Sequence, residues 1–188
     1  MLLPPELETY RNAVDELPAP PPPPPPYEPG VQGDWVGSYG ADGYALFGWN
    51  GTSDLAFLPQ ATITLEQGGR TQWTASTTDL RALEAPDESQ RRATLLWDNT
   101  QIRLRLNFTT NYTGDLHLYA VDWDATNRRQ TITINDGTNT TTIDLNTSFN
   151  NGAWIHVPIT ATTGSTVTIT INRTAGANAV LSGLFLGP

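Results

Sequence analysis

Two carboxylates flank a tryptophan at Asp122-Trp-Asp124, the residue types that a glycosidase uses as acid and base. In a strand, residues two apart lie only ~7 Å from each other on one side of the sheet. The same pair would equally meet Arg128 or Arg129, or cap a turn, and that is the simpler reading. The one cofactor these residues allow is a calcium ion on Asp122, Asp124 and nearby carbonyls. No spaced loop of oxygen ligands supports it, so no cofactor is expected. Nowhere does a Ser-His-Asp or Cys-His order stand out, and neither Gly-x-Ser-x-Gly nor His-Glu-x-x-His occurs. The chain is therefore not expected to be an enzyme. Its two histidines, His117 and His156, both fall in apparent strands.

Aromatic residues carry a stronger signal. Sugar recognition needs flat aromatic faces against C–H surfaces and short polar side chains for the hydroxyls. Within Gly33-Asp-Trp-Val-Gly-Ser-Tyr-Gly-Ala-Asp-Gly-Tyr44, glycines are interspersed among Trp35, Tyr39, Tyr44, Asp34 and Asp42. These five residues form the expected glycan site, with Trp35 and Tyr39 exposed beside one of the carboxylates. The competing reading is core packing. It is preferred for Trp97 and Trp123, which fall on strands, and stays open for Trp35 and Tyr39.

The elements that must hold such a loop read as β throughout. From Ile102 to Phe108, leucines, isoleucine and phenylalanine alternate with Arg103, Arg105 and Asn107, the period-2 pattern of a strand wet on one face. Segments 116–123, 130–134, 141–145, 154–159 and 166–171 repeat the theme between turn-rich separators. Residues 179–186 are nearly all apolar and read as a central strand, whereas 79–89 reads as a loop or a short helical turn. About eight to ten short antiparallel strands predict an all-β fold, an antiparallel β-sandwich of the jelly-roll kind. The chain has 188 residues, no cysteine and a net charge of −9, and its ten basic residues are all arginine. Disulfides and thiolate metal sites are thus excluded. Without a basic stripe, nucleic acid is not an expected partner.

Upstream of the sandwich the character differs. Seven consecutive prolines, Pro20 to Pro26, can only form a polyproline II rod. At ~3.1 Å per residue it is a stiff spacer of roughly 20–30 Å. Before it, Leu3, Leu7, Tyr10, Val14 and Leu17 follow at spacings of 4, 3, 4 and 3, an a/d seam of two heptads. A helix so short is marginal alone, so its seam must bury against a partner. The expected domains are an anchor helix over 1–17, a spacer over 18–30 and a sandwich over 31–188. The start lacks a basic region and an apolar stretch of a secretory signal, and no run is long enough to span a membrane.

Three segments, Gly33 to Tyr44, Leu118-Tyr-Ala-Val-Asp-Trp-Asp124 and Arg173-Thr-Ala-Gly-Ala-Asn-Ala-Val-Leu-Ser-Gly-Leu-Phe185, resemble a jelly-roll module similar to carbohydrate-binding domains. Such modules occur at the ends of bacterial surface and carbohydrate-active proteins and in structural proteins of actinobacteriophages. The resemblance implies a non-catalytic, galactose-binding-like sandwich and carries over no binding residues. The expected function is a displayed adhesion or decoration domain, held through residues 1–17 to a phage virion as a head decoration, head fibre or minor tail protein. Weak binding of a host-surface or other glycan and a homo-oligomeric, trimer-compatible seam belong to this reading, which places the sandwich on the virion surface. The alternative is a carbohydrate-binding module of a secreted glycoside hydrolase or surface protein.

Overall fold

Alternation becomes architecture most directly in strand β8 (Gln101–Phe108), where Ile102, Leu104, Leu106 and Phe108 are buried and Arg103 and Arg105 are exposed. The computed structural model describes residues 27–187, and all regular structure among them is β. Five strands, β4 (Ala61–Gln67), β8, β10 (Arg129–Asn135), β11 (Thr140–Leu145) and β13 (Thr166–Ala175), form one antiparallel sheet in the order β11-β10-β13-β8-β4.

A six-stranded sheet comprises β1 (Tyr27–Glu28), β12 (Ala153–Ala161), β9 (Tyr112–Ala120), β15 (Gly183–Gly187), β2 (Gly43–Leu46) and β3 (Leu55–Phe57), in that order. A third, smaller sheet runs β14 (Ala179–Leu181), β7 (Arg91–Asp98) and β5 (Gly69–Thr77), with β6 (Leu83–Glu84) paired to β7. Leu116 and Leu118 of β9, Ile155 and Val157 of β12, and Ile169 and Ile171 of β13 meet in one core shared by the sheets. The molecule is an antiparallel β-sandwich, as the sequence predicts.

Three expectations change in detail. The apolar run 179–186 is two strands, because the chain leaves the small sheet at Ser182 and enters the six-stranded one; the Phe47 amide donates to the Ser182 carbonyl at 2.9 Å and the Ser182 amide to Tyr119 at 2.8 Å. Segment 79–89 carries the two-residue strand β6 within its turns. The sandwich also reaches back into the expected spacer, since Tyr27 pairs with Ile155 and Glu28 with Trp154. The anchor residues Leu3, Leu7, Tyr10, Val14 and Leu17 and the proline run lie outside the described residues.

Candidate functional site

The six-stranded sheet has a second face, and around Trp154, Tyr119 and Phe185 that face is also buried and largely apolar. Cross-strand neighbours share a face, and the register aligns His156, His117, Phe185, Tyr44 and Phe57 in one row across β12, β9, β15, β2 and β3. Trp154, Tyr119, Leu46 and Phe185 pack there with Trp35, Trp49, Leu83 and Ala85 into a second core. The covering layer is the glycine-rich segment 33–44 together with residues 79–90.

The two covering segments are tied to each other by backbone. The Gly33 amide donates to Leu80 at 2.8 Å, and the Glu84 amide donates to Gly33 at 3.1 Å. Their approach is so close that a Cβ on Gly33 would lie 1.9 Å from the Ala82 carbonyl oxygen. This closeness turns Trp35 inward. Its ring is 4% exposed, its indole N–H donates to the Glu84 carbonyl at 2.8 Å, and it packs 4.9 Å from Tyr44 and 5.0 Å from Phe185. The expectation of an exposed Trp35 platform is therefore corrected: the ring is a floor. Gly40, at φ +76°, fits over it because a Cβ there would come within 3.1 Å of the indole.

Asp34 also differs from expectation. It pairs with Arg91, which donates at 3.1 Å to Glu84 Oε2 and at 3.0 Å to the Ala82 carbonyl, while Glu84 Oε1 accepts the Val36 amide at 3.0 Å. Burial raises the Glu84 carboxyl above its usual range, against the backbone hydrogen bond from Val36. This network fastens the loop to β6 and β7 and holds the half-exposed Asp34 carboxylate against Arg91, outside the cleft lining.

Tyr39 and Tyr44, both half-buried, do converge. With Trp35, Val36, Pro86 and the backbone of residues 37–41 they line a cleft of about 510 Å³. Tyr39 is held from behind, its ring 4.2 Å from Trp154, 4.8 Å from His117 and 5.3 Å from His156. Asp42 is exposed and borders a different, adjacent pocket of about 470 Å³, with Phe57, Pro59, Gln60, Asn111, Tyr112 and Thr113. The five expected site residues thus divide into a cleft pair, a floor, a structural ion pair and a neighbour. Phe57, Gln60 and Asn111 escape sequence reading, because an edge-strand end, the turn after it and the connection before β9 share no local pattern.

At the far end of β9 the carboxylate pair meets Arg128. Asp122 is fully buried and pairs with the guanidinium while its Oδ2 accepts the Arg128 amide at 3.0 Å; Asp124 Oδ1 accepts from the same guanidinium nitrogen at 2.5 Å. That geometry is structural, with both carboxylates sharing one guanidinium nitrogen. Trp123 lies beyond the strand end rather than on it, half-buried under Arg81 at 4.5 Å. Arg92 lies over Trp49 at 5.0 Å and Arg128 over Trp73 at 5.6 Å, so each of these indoles has a face covered by a guanidinium. Trp97 is half-buried and packs against the main core. Among the described residues no group of three or more His, Cys, Asp or Glu side chains gathers in a way that could hold a metal.

No protein-family profile matches the sequence, and no curated protein does. Solved structures that it resembles include a family 35 carbohydrate-binding module from an environmental isolate, at 14% identity and TM-score 0.37 over 68% of this chain and 93% of that one. Another is TmCBM61 in complex with β-1,4-galactotriose, at 11% identity and TM-score 0.40 over 75% and 94%. A third is the exo-β-1,3-galactanase Pc1,3Gal43A of Phanerochaete chrysosporium, at 17% identity and TM-score 0.35, where 71% of this chain covers 30% of the enzyme.

Proposed function

We propose that the chain is a non-catalytic glycan-binding domain whose ligand enters the cleft between Tyr39 and Tyr44. One observation carries this reading: two half-exposed phenol rings stand over an indole floor beside the backbone of a glycine-rich loop, in a space of about 510 Å³. The rings offer faces to sugar C–H groups, while Ser38 and the loop backbone offer partners to hydroxyls. Neither a carboxylate nor an imidazole lines the cleft, so binding rather than acid–base chemistry fits it. Shallow sites of this kind hold sugars with roughly 4–8 kcal/mol, and many displayed copies raise that through avidity. Display on a larger assembly, a phage virion first and a secreted carbohydrate-active protein second, is supported by the heptad spacing and proline run in the sequence.

The test leaves the packing intact. Ser38 is exposed at the cleft, so Ser38→Trp fills the space without removing a core contact. A glycan array with the full chain and this variant should show binding by the first and none by the second, at equal melting temperature. A wild-type protein that binds no glycan overturns the proposal.

A further inference from the structure

We infer that the pocket around Phe57 is a second saccharide subsite, continuous with the cleft, so that the protein reads an extended neutral sugar chain rather than a single terminal sugar. The inference rests on the glycan reading of the cleft. Its starting point is exposure: Phe57 is 58% exposed on the edge strand β3, the one aromatic among the large apolar side chains that the described residues leave open. An aromatic ring in water is a free stacking face.

Around that face stand hydrogen-bonding groups of both senses. The Gln60 amide nitrogen is buried without a partner, a donor that a ligand hydroxyl would satisfy once the side chain turns outward. Asn111 Oδ1 is held by the Thr163 amide at 2.9 Å and hydroxyl at 3.2 Å, which assigns the other end of the amide as a second donor. Asp42 supplies an acceptor, steadied by the Tyr112 hydroxyl at 3.4 Å. Burial first, and then Asp42, push the Tyr112 phenol up to about 12, so it remains a donor under all ordinary conditions.

Charge narrows the ligand class. The pocket is lined by one carboxylate and by no arginine or histidine. An anionic sugar, phosphate or sulfate would meet repulsion there and find no cation. Neutral hydroxyls, which donate and accept, match donors and acceptors beside an aromatic face.

Contiguity makes the two spaces one site. Ala41 borders both. Tyr44 of the cleft and Phe57 of the pocket are direct cross-strand partners, with ring centroids 6.2 Å apart. A chain lying on Tyr44 therefore continues onto Phe57 without crossing polar backbone, and the edge position of β3 leaves room for it to run on.

The experiment is calorimetric titration of the full chain with neutral gluco-, manno-, galacto- and xylo-oligosaccharides of increasing length, from the monosaccharide upward. In the series that binds, affinity should rise at least about tenfold from the single sugar to the longer members as the second ring engages. Phe57→Ala and, separately, Gln60→Ala should remove that rise and leave short-chain binding unchanged, while Ser38→Trp abolishes both. Chains that bind no tighter than monosaccharides, a Phe57→Ala variant that keeps its length dependence, or a preference for uronate chains overturns the inference while the cleft reading stands. Binding of no sugar at all by the wild type overturns both.

Discussion

His117 and His156 face each other across β9 and β12 with their Nδ1 atoms 2.6 Å apart. Only one proton fits between two such nitrogens, so the pair cannot carry hydrogen on both. His117 Nε2 lies 3.3 Å from the Gly187 carbonyl and donates to it; His156 Nδ1–H then donates to His117. Glu28, 3.9 Å from His156 Nε2, waits on the open side. Tyr39, a wall of the proposed cleft, lies against both imidazoles.

The pair makes the loop sensitive to acid. Burial, and next His156, lower the His117 imidazole below its usual range; burial lowers His156 against the pull of Glu28 and Asp115. Below about 6.5 the unfolded chain binds protons that the folded one refuses, so stability is full above that pH and is lost as pH falls through the lowered folded-state values. Thermal melts across pH 8 to 5 should show a fall that His117→Gln with His156→Gln removes. A flat profile for the wild type would contradict the buried pair.

Removing Trp35 should cost stability. The ring is a buried floor with one indole hydrogen bond, so Trp35→Ala should destabilise by ~3–5 kcal/mol. Trp35→Phe keeps most of the apolar area and leaves the Glu84 carbonyl without its donor, for about 1 kcal/mol. Denaturant unfolding measures both, and a small effect of the alanine variant would return the ring to the surface.

Arg128 should be among the most sensitive positions. Its side chain is 5% exposed against the wholly buried Asp122. Arg128→Ala strands that carboxylate in the interior and should cost ~3–5 kcal/mol, part of which Asp122→Asn in the same chain restores. Two additive losses in the double variant would show that the pair does not interact.

The sandwich was legible because its strands alternate, and β8 is the clearest case: one face of Ile102, Leu104, Leu106 and Phe108. The second apolar face was not legible. Trp154, Tyr119 and Phe185 read as ordinary strand aromatics, and their cover comes from residues 79–90, where Pro86 and short turns carry no period. The glycine-rich loop stands out in the sequence, and Tyr39 and Tyr44 stay together at the cleft. Trp35 went inward because Gly33 meets Ala82, a contact 49 positions apart in sequence. The His117 and His156 contact is likewise invisible to local pattern, since register alone creates it.

The N-terminal residues give the last prediction, and the sheet edge fixes where to cut. Tyr27 and Glu28 belong to the sandwich through β12, and the Tyr27 hydroxyl lies 2.6 Å from that of Thr147. Deleting residues 1–26 should therefore leave the melting temperature unchanged, whereas deleting 1–30 should lower it by removing an edge strand and the carboxylate beside His156. The seam Leu3, Leu7, Tyr10, Val14 and Leu17 has the spacing of a coiled-coil strip, and two heptads bury it only against copies or a docking partner. Sedimentation of the full chain should show an oligomer that the 1–26 deletion converts to a folded monomer. If the full chain stays monomeric at high concentration, self-association through the seam is excluded; docking onto a particle then remains, read by loss of incorporation in the same deletion. Incorporation that survives the deletion ends the anchor hypothesis.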